Sequence, residues 1–418
     1  MVVAGRTWAA RFLPILALGI LGLASTVGAL KSGTDGAIGI GGALVLGATA
    51  WIAEGRFPKP ETRVVVLLGV FLAVCAAASM NAPSPAVAWP MTAQLASVFV
   101  PLAWLSSPAL QGRVAAGAET LFRFWPWLVL GGMVVLGFYV LDLTMHGSPL
   151  DKNRSVKLNK AASCAMLIAW PVLAFLFVRA RPAVLTVARI SDRVLVLGIG
   201  LAVASVVILT QSVTTKLAVG AAVLVMGATC CVPLMWLRRG LMILALMTVV
   251  WPFAARGLLD TAPRVVEHLP YSLKARFEIW DIMSFHIEKR PLFGYGPGGS
   301  RGLRPLDESV RGYTSVEAND PTVIVAHPHN SITQLWVELG PAGVALGMFL
   351  ALALLVRIGR WPRTLQTFGL GAWTTGFVLS LAAYNLWTDA VIAAMALSAF
   401  GFGVVQKALP LSVSDPRA

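Results

Sequence analysis

The stretch from Ile332 to Val356 reads ITQLWVELGPAGVALGMFLALALLV, with Glu338 its one charged residue. A helix of that length is about 37 Å long, enough to cross a hydrocarbon layer about 30 Å thick. Its two flanks differ in kind: Arg357, Arg360 and Arg363 follow the run, whereas His327-Pro-His-Asn-Ser331 leads into it. Pro341 predicts a kink, and Gly340, Gly343 and Gly347 are expected to permit close helix contact.

Outward from this run, eleven more apolar stretches read as spans, many of them long enough by the same measure: Phe12–Leu30, Gly36–Ala53, Val64–Ser79, Ala86–Leu105, Phe124–Leu141, Ala161–Val178, Val194–Thr210, Leu217–Trp236, Leu241–Ala255, Phe368–Leu386 and Ala390–Val405. Of the 418 residues 57% are hydrophobic and 12% charged, with mean hydropathy +0.77. Soluble domains carry about 25% charged residues, so the composition excludes a water-surrounded fold of this size. The expected fold class is all-α, a polytopic membrane protein with about 12 transmembrane helices and a large periplasmic loop between spans nine and ten. Residues 1–255 would hold spans one to nine, 256–331 the loop with a catalytic helix, and 332–418 the last three spans and a cytoplasmic tail. The opening run behind Arg6 and Arg11 is read as a retained first helix. Cys75, Cys164, Cys230 and Cys231 lie in apolar runs without metal or disulfide spacing and are read as packing residues.

Charge sets the orientation. An even number of spans places both termini on one side, and that side collects 18 of the 33 Lys and Arg residues. Outside two segments, the opposite connections hold only Lys31 and Lys216. By the positive-inside rule the rich side is cytoplasmic, which also accounts for much of the net charge of +14 without nucleic acid as a partner. The two exceptions are residues 142–160, with Lys152, Arg154, Lys157 and Lys160, and residues 256–331, with nine cations including Arg256, Arg276 and Arg301. A long loop crosses regardless of charge, but the shorter one does not share that freedom. Its cations point to an anion handled at the outer face.

Within the long loop, Tyr271–Arg290 is expected to form a helix ending before Pro291, with Leu273, Phe277, Trp280 and Ile287 on one face. Arg276 lies on that same face, while Glu278, Asp281 and Lys289 lie elsewhere. A guanidinium so placed is either salt-bridged or snorkelling, or it is aimed at a phosphate or pyrophosphate that its planar fork suits. The run Gly294-Tyr-Gly-Pro-Gly-Gly-Ser-Arg-Gly302 reads as a flexible turn, or as a backbone cradle for phosphate. It lacks the Gly-Lys-Ser/Thr of a nucleotide loop. Ser331 and Gln334 form an S-x-x-Q capping box, so a helix is expected to begin near Ile332 with His329 just ahead of it. The positive end of the helix dipole disfavours imidazolium there and attracts anions. His329 is then a candidate general base, or else, with Asn330, a capping residue. Lys216, Glu338 and Asp389 lie near the outer boundary, where buried charge is costly and commonly functional. For Asp389 a helix cap, and for Glu338 an arginine partner, are the plainer alternatives.

Taken together, these residues resemble the O-antigen ligase family, which shares a superfamily with O-antigen polymerases. The family's mark is a histidine followed by Asn, Ser or Gln, nine residues, and Gly-x-x-Gly after a large periplasmic loop. His329-Asn330, Ser331 to Leu339, and Gly340-Pro-Ala-Gly343 fit it without gaps, and Arg276…Trp280 with Pro291-Leu-Phe-Gly-Tyr-Gly-Pro-Gly298 follows the upstream pattern. Where the family often has arginine before spans six and eight, this chain has Lys160 and Lys216, which keep the charge but lose the bidentate fork.

The resemblance implies glycan transfer at the periplasmic face of the bacterial inner membrane, independent of metal, nucleotide and cofactor. The implied partners are an undecaprenyl pyrophosphate-linked glycan donor, a lipid A–core acceptor and membrane lipids. His329 would take the proton of the acceptor hydroxyl with Asn330 orienting it, and Arg276, Lys216, Arg256 and Lys160 would hold the pyrophosphate. Arg301, His327, Glu338 and Asp389 complete the candidate substrate-binding set. Two other readings compete. A polymerase joining lipid-linked repeat units would use the same chemistry. A lipid-linked sugar transporter would carry broken, polar helices near the bilayer midplane, whereas the ionisable groups here collect at the outer boundary.

Overall fold

A computed structural model of the chain describes residues 13–17, 19–20, 34–55, 57–117, 124, 126–134, 137, 152–179, 197–201, 204, 212–303, 327–382 and 385–408. These are helical throughout, with no strand among the described residues. In chain order the elements are α1 (Thr34–Glu54), α2 (Thr62–Met80), α3 (Pro85–Ala103), α4 (Pro108–Ala116), α5 (Lys152–Arg179), α6 (Val213–Ala228), α7 (Leu234–Met247), α8 (Trp251–Thr261), α9 (Pro263–Glu267), α10 (Tyr271–Lys289), α11 (Ser331–Ile358), α12 (Arg363–Ala382) and α13 (Asp389–Ala408).

Six helical runs are long and apolar enough to cross a membrane, and Ala37–Ile52 and Val213–Ala228 are shorter apolar helices. The chain is thus a multi-pass membrane protein. The expected spans Phe12–Leu30 and Val194–Thr210 fall largely outside the described residues, and Phe124–Leu141 does so in part. Several boundaries differ from expectation. Helix α5 begins at Lys152, nine residues ahead of the expected span, so Lys152, Arg154, Lys157 and Lys160 lie on its first turns and not in a connection. The apolar run Leu217–Trp236 is not one helix: α6 stops at Ala228, the chain turns through Cys230 and Cys231, and α7 starts behind Pro233. Proline cannot continue a helix through its missing N–H, and hydropathy does not register that break. Cys230 and Cys231 are consequently exposed, unlike the buried Cys75 and Cys164. The helical run also continues past Ala255 to Thr261, placing Arg256 on α8.

The centre of the bundle is α5, whose residues from Ala161 to Val178 are almost all buried, flanked by α12 and α13. Hydrocarbon gives no hydrophobic drive between helices, so small residues and buried hydrogen bonds join them. A side chain at Gly39 of α1 would collide with Ala393 of α13. The Trp170 indole donates to Thr375 Oγ1 at 3.1 Å between α5 and α12, and the Trp373 indole to the Ala351 carbonyl at 3.0 Å between α12 and α11. At the periphery, Val65, Val66, Leu224, Ile243 and Leu244 are exposed, as side chains facing lipid are.

The described connections sort onto two ends. At one end, Arg357 pairs with Glu61 at 2.8 Å, Ser106 Oγ accepts from the Glu61 amide, and Arg238 lies against Gly359. At the other, Arg290 donates to the Asn81 carbonyl at 2.9 Å, and α8 to α10 and the turn before α11 gather.

Helix α11 is the element that positions the candidate site, and it is broken. Gly340 has φ 66° and ψ −161°, far from helical values. Pro341 has no N–H to offer the Val337 carbonyl, which instead accepts from the Tyr295 amide at 2.9 Å, while the Glu338 carbonyl accepts from Gly296 at 2.9 Å. The glycine-rich segment is therefore a wedge in the helix break and not a flexible turn. It approaches so closely that a Cβ at Gly340 would lie 2.2 Å from the Leu292 carbonyl oxygen, and one at Gly294 2.5 Å from that of Val337. Beyond the break the two halves of α11 fold toward each other. The Leu335 side chain reaches within 2.6 Å of where a Cβ on Gly347 would stand, although in a straight helix those residues are about 18 Å apart. Gly343 and Gly347 thus face their own helix's first half, where contact with other helices was expected.

Candidate active site

The N-terminal half of α11 is buried and polar, and its start differs by one residue from expectation. Asn330, with extended backbone, is the N-cap, its Oδ1 accepting from the Thr333 amide at 3.0 Å. Ser331 and Gln334 do not form the expected capping box: the Ser331 hydroxyl donates to the Ser380 carbonyl, and the Gln334 amide serves Glu338 and Asn385. Asn330 beats serine at this position because its carbonyl oxygen reaches the orphan amide while its backbone stays extended.

His329 precedes the cap with φ +50°, and it is the one non-glycine residue with positive φ among the described residues. Such a backbone costs roughly 1–3 kcal/mol and persists only where its surroundings hold it. The surroundings are identifiable. The Trp280 indole of α10 donates to the Pro328 carbonyl at 2.8 Å, pinning the turn between the two histidines. Trp280 is itself set by an edge-on contact with Trp251 of α8, at 5.4 Å between centroids, and by Phe277. The rings of His327 and His329 meet at right angles, 3.9 Å apart.

Arg276, one turn before Trp280, is half-buried, and burial pushes its pKa below the ordinary arginine value. His327 is pushed below the usual histidine range, first by burial and then by the charges of Arg301, Arg276 and Lys160, against a backbone hydrogen bond that raises it. Three predicted cations therefore act on one imidazole, although they come from α10, the 3-10 turn Gly299–Gly302 and α5. Three cations bearing on one uncharged ring form a locally positive field, of the kind that attracts anions.

A line of contacts joins Lys160 to this turn. Ser163, one turn along α5, shares a hydrogen bond of 3.0 Å with Thr215 of α6. Thr214 donates to the Ala382 carbonyl at the end of α12, and Ser380 in the same turn accepts from Ser331. Lys216 follows Thr215 on this rim, with its side chain exposed.

Other candidates have different surroundings. Arg256 pairs with Glu288 at 2.6 Å and lies 3.9 Å from Asp281, with its guanidinium 3.9 Å over the Phe285 ring. It clasps α8 to α10, and its charge is already met by carboxylates. Asp281 and Glu278 are buried, whereas a position away from the buried face was expected; α10 is enclosed on nearly all sides from Ala275 to Ile287, while Leu273 is exposed. Glu338 has no arginine among its hydrogen-bond partners in the described residues. Its carboxylate, fully buried, accepts from the Gly298 amide at 2.7 Å, the Ser300 hydroxyl, Gln334 Nε2 at 3.0 Å and the Trp387 indole. With every lone-pair direction filled it offers nothing to a substrate. Asp389 begins α13 and accepts from the Ala390 amide at 2.8 Å, the plainer alternative raised for it.

Sequence reasoning missed Trp280 as a hydrogen-bonding residue, gave Gln334 a capping role in place of its bonds to Glu338 and Asn385, and missed Ser300, Asn385 and Trp387 altogether. A signal existed for the tryptophan: an indole on a buried helix face needs an acceptor for its N–H.

Residues 184–348 match the family model described as O-antigen ligase, a stretch that contains α6 to α10, the histidine turn and the broken start of α11. Over 113 residues the chain is 25% identical to "Putative polysaccharide ligase RC0486" of Rickettsia conorii and 26% identical to similarly named proteins of Rickettsia typhi and Rickettsia prowazekii. In each case the match covers 27% of this chain and 27% of the relative, about a quarter of the length of the curated proteins it resembles.

Proposed function

We propose that the chain is a polysaccharide ligase that moves a glycan from an undecaprenyl pyrophosphate-linked donor to a sugar hydroxyl of lipid A–core. The reaction takes place at the periplasmic face of the bacterial inner membrane. One observation carries this reading: the Trp280–Pro328 hydrogen bond ties the His327–His329 turn to the Arg276 helix, where Arg276, Arg301 and Lys160 all act on it. The names of the Rickettsia relatives favour ligase over polymerase.

In this reading the acceptor hydroxyl oxygen attacks the anomeric carbon of the donor as the bond from that carbon to the pyrophosphate oxygen breaks. His329 takes the hydroxyl proton, and the electron pair of the broken bond leaves on the pyrophosphate. Arg276, Arg301, Lys160 and Lys216 stabilise its growing charge; Arg276 and Lys160 are half-buried, where such interactions are stronger than in water, and Arg301 and Lys216 stand on the exposed rim. Asn330 acts through the helix end it caps, which fixes the position of His329. His327 stays uncharged beside the cations and leaves their field to the anion. Arg256 and Asp389 serve the scaffold.

The test is reconstitution of the purified protein with lipid-linked glycan and lipid A–core. His329→Ala is expected to lower the transfer rate by about 10²–10⁴-fold, and Arg276→Ala to do so comparably, with both variants folded. Full activity in both would overturn the reading. Elongated lipid-linked glycan without transfer to lipid A–core would favour the polymerase.

A further inference from the structure

Glu338 is a buried carboxylate with no cation among its hydrogen-bond partners in the described residues. Its four donors come from three separate segments: Gly298 and Ser300 in the glycine-rich segment, Gln334 one turn earlier on α11, and Trp387 in the turn between α12 and α13. The same network closes on itself, since Gln334 also donates to Asn385 at 2.8 Å and accepts from the Leu386 amide at 2.9 Å. A scaffold plug at this depth is more cheaply made from apolar side chains, because removing a charge from water costs several kcal/mol. What a carboxylate alone provides is acceptor capacity for four converging donors. A glutamine would turn an N–H₂ group toward at least one of them.

The partners it grips are neighbours of the reacting groups. Ser300 immediately precedes Arg301 in the 3-10 turn Gly299–Gly302. Gln334 lies one turn from Asn330, whose carbonyl accepts from the Gln334 amide at 2.9 Å, and Asn330 follows His329. We infer that Glu338 is a positioning residue, a bracket that sets the distance between the Arg301 turn and the helix end presenting His329, and that it never touches substrate. This inference rests on the ligase reading above and deepens it, by assigning Arg301 to the pyrophosphate and Glu338 to Arg301.

Farnesyl pyrophosphate serves as the soluble probe, and its affinity is measured for the purified full chain and for Glu338→Gln, Arg301→Ala, Ser300→Ala and the Glu338→Gln/Arg301→Ala pair. Glu338→Gln is expected to weaken binding about tenfold, the scale of one charge-assisted hydrogen bond, and to weaken it less than twofold once Arg301 is absent. Ser300→Ala, which removes one donor and leaves three, should show a smaller loss that likewise vanishes without Arg301. It decides the matter if Glu338→Gln does not fold. Equal losses with and without Arg301, or wild-type affinity in a folded Glu338→Gln, overturn the inference while leaving the ligase reading intact. A wild-type chain that does not bind the probe removes the ligase reading and this inference with it.

Discussion

The glycine-rich wedge and the histidine turn sit at the two ends of one short buried helix half, and their polar groups are treated in opposite ways. In the wedge the amides of Tyr295, Gly296 and Gly298 are all matched to acceptors on α11, and the nearest carboxylate is saturated. At the turn, His329 holds a strained backbone, and His327 Nδ1 is buried with no hydrogen-bond partner among the described residues beyond its own backbone. The charges of Arg301, Arg276 and Lys160 bear on that ring. Buried polar groups in a folded protein are ordinarily satisfied, so the exceptions invite explanation. The glycine-rich run reads in the sequence as a flexible turn or as a phosphate cradle, yet its amides at Tyr295, Gly296 and Gly298 are occupied by the fold.

Breaking the closed region should have the largest effect. Gly340→Ala forces a side chain into a backbone region that is essentially glycine's own, about 1–3 kcal/mol of strain, before the contact with Leu292 is counted. Little monodisperse protein should survive extraction in detergent, measured by size-exclusion chromatography against wild type; normal yield and melting temperature would show that the wedge is loose. Loosening the open region should instead spare the fold and harm the chemistry. Trp280→Phe keeps the ring but loses the N–H that holds Pro328, so the melting temperature should shift little, while transfer falls by up to about a hundredfold as the histidine drifts. Parallel losses of stability and activity would mean that the turn is scaffold after all.

The smallest effect sharpens the contrast through pH. His327 has its folded pKa lowered, so it contributes stability that is present above the unfolded histidine value of about 6.5 and is lost as pH falls toward the folded value. Wild type should therefore lose melting temperature on acidification below about pH 6.5 more steeply than His327→Asn, by at most about 1.4 kcal/mol per pH unit. Identical slopes would place no such burden on His327.

The helical scaffold was legible because long apolar runs report transfer free energy directly, and α10 was found nearly to the residue because its ends are local: Tyr271 after Pro270 and Lys289 before Pro291. The histidine turn and the helix break were legible as a motif at fixed spacing. What escaped were contacts across long separations. Glu338 meets Gly298 and Trp387, 40 and 49 residues away, and Arg256 meets Glu288, 32 residues on. Periodicity places Glu278 and Asp281 outside the apolar face of α10, but it carries no knowledge that α8 packs on α10 and brings Arg256 to Asp281. The turn at Cys230–Pro233 escaped for the reverse reason, since apolar residues continued through it and only the proline marked the stop.

The interruption at Gly340 has a mechanical consequence. Residues 341–358 alone form a rod of about 27 Å, close to a full hydrocarbon crossing, whereas residues 331–339 are clamped by the wedge, Trp387 and Ser380. A thinner or thicker bilayer tilts the lipid-facing rod, and the joint absorbs that tilt before it reaches His329. The geometry of the turn is thereby insulated from the membrane in which it works.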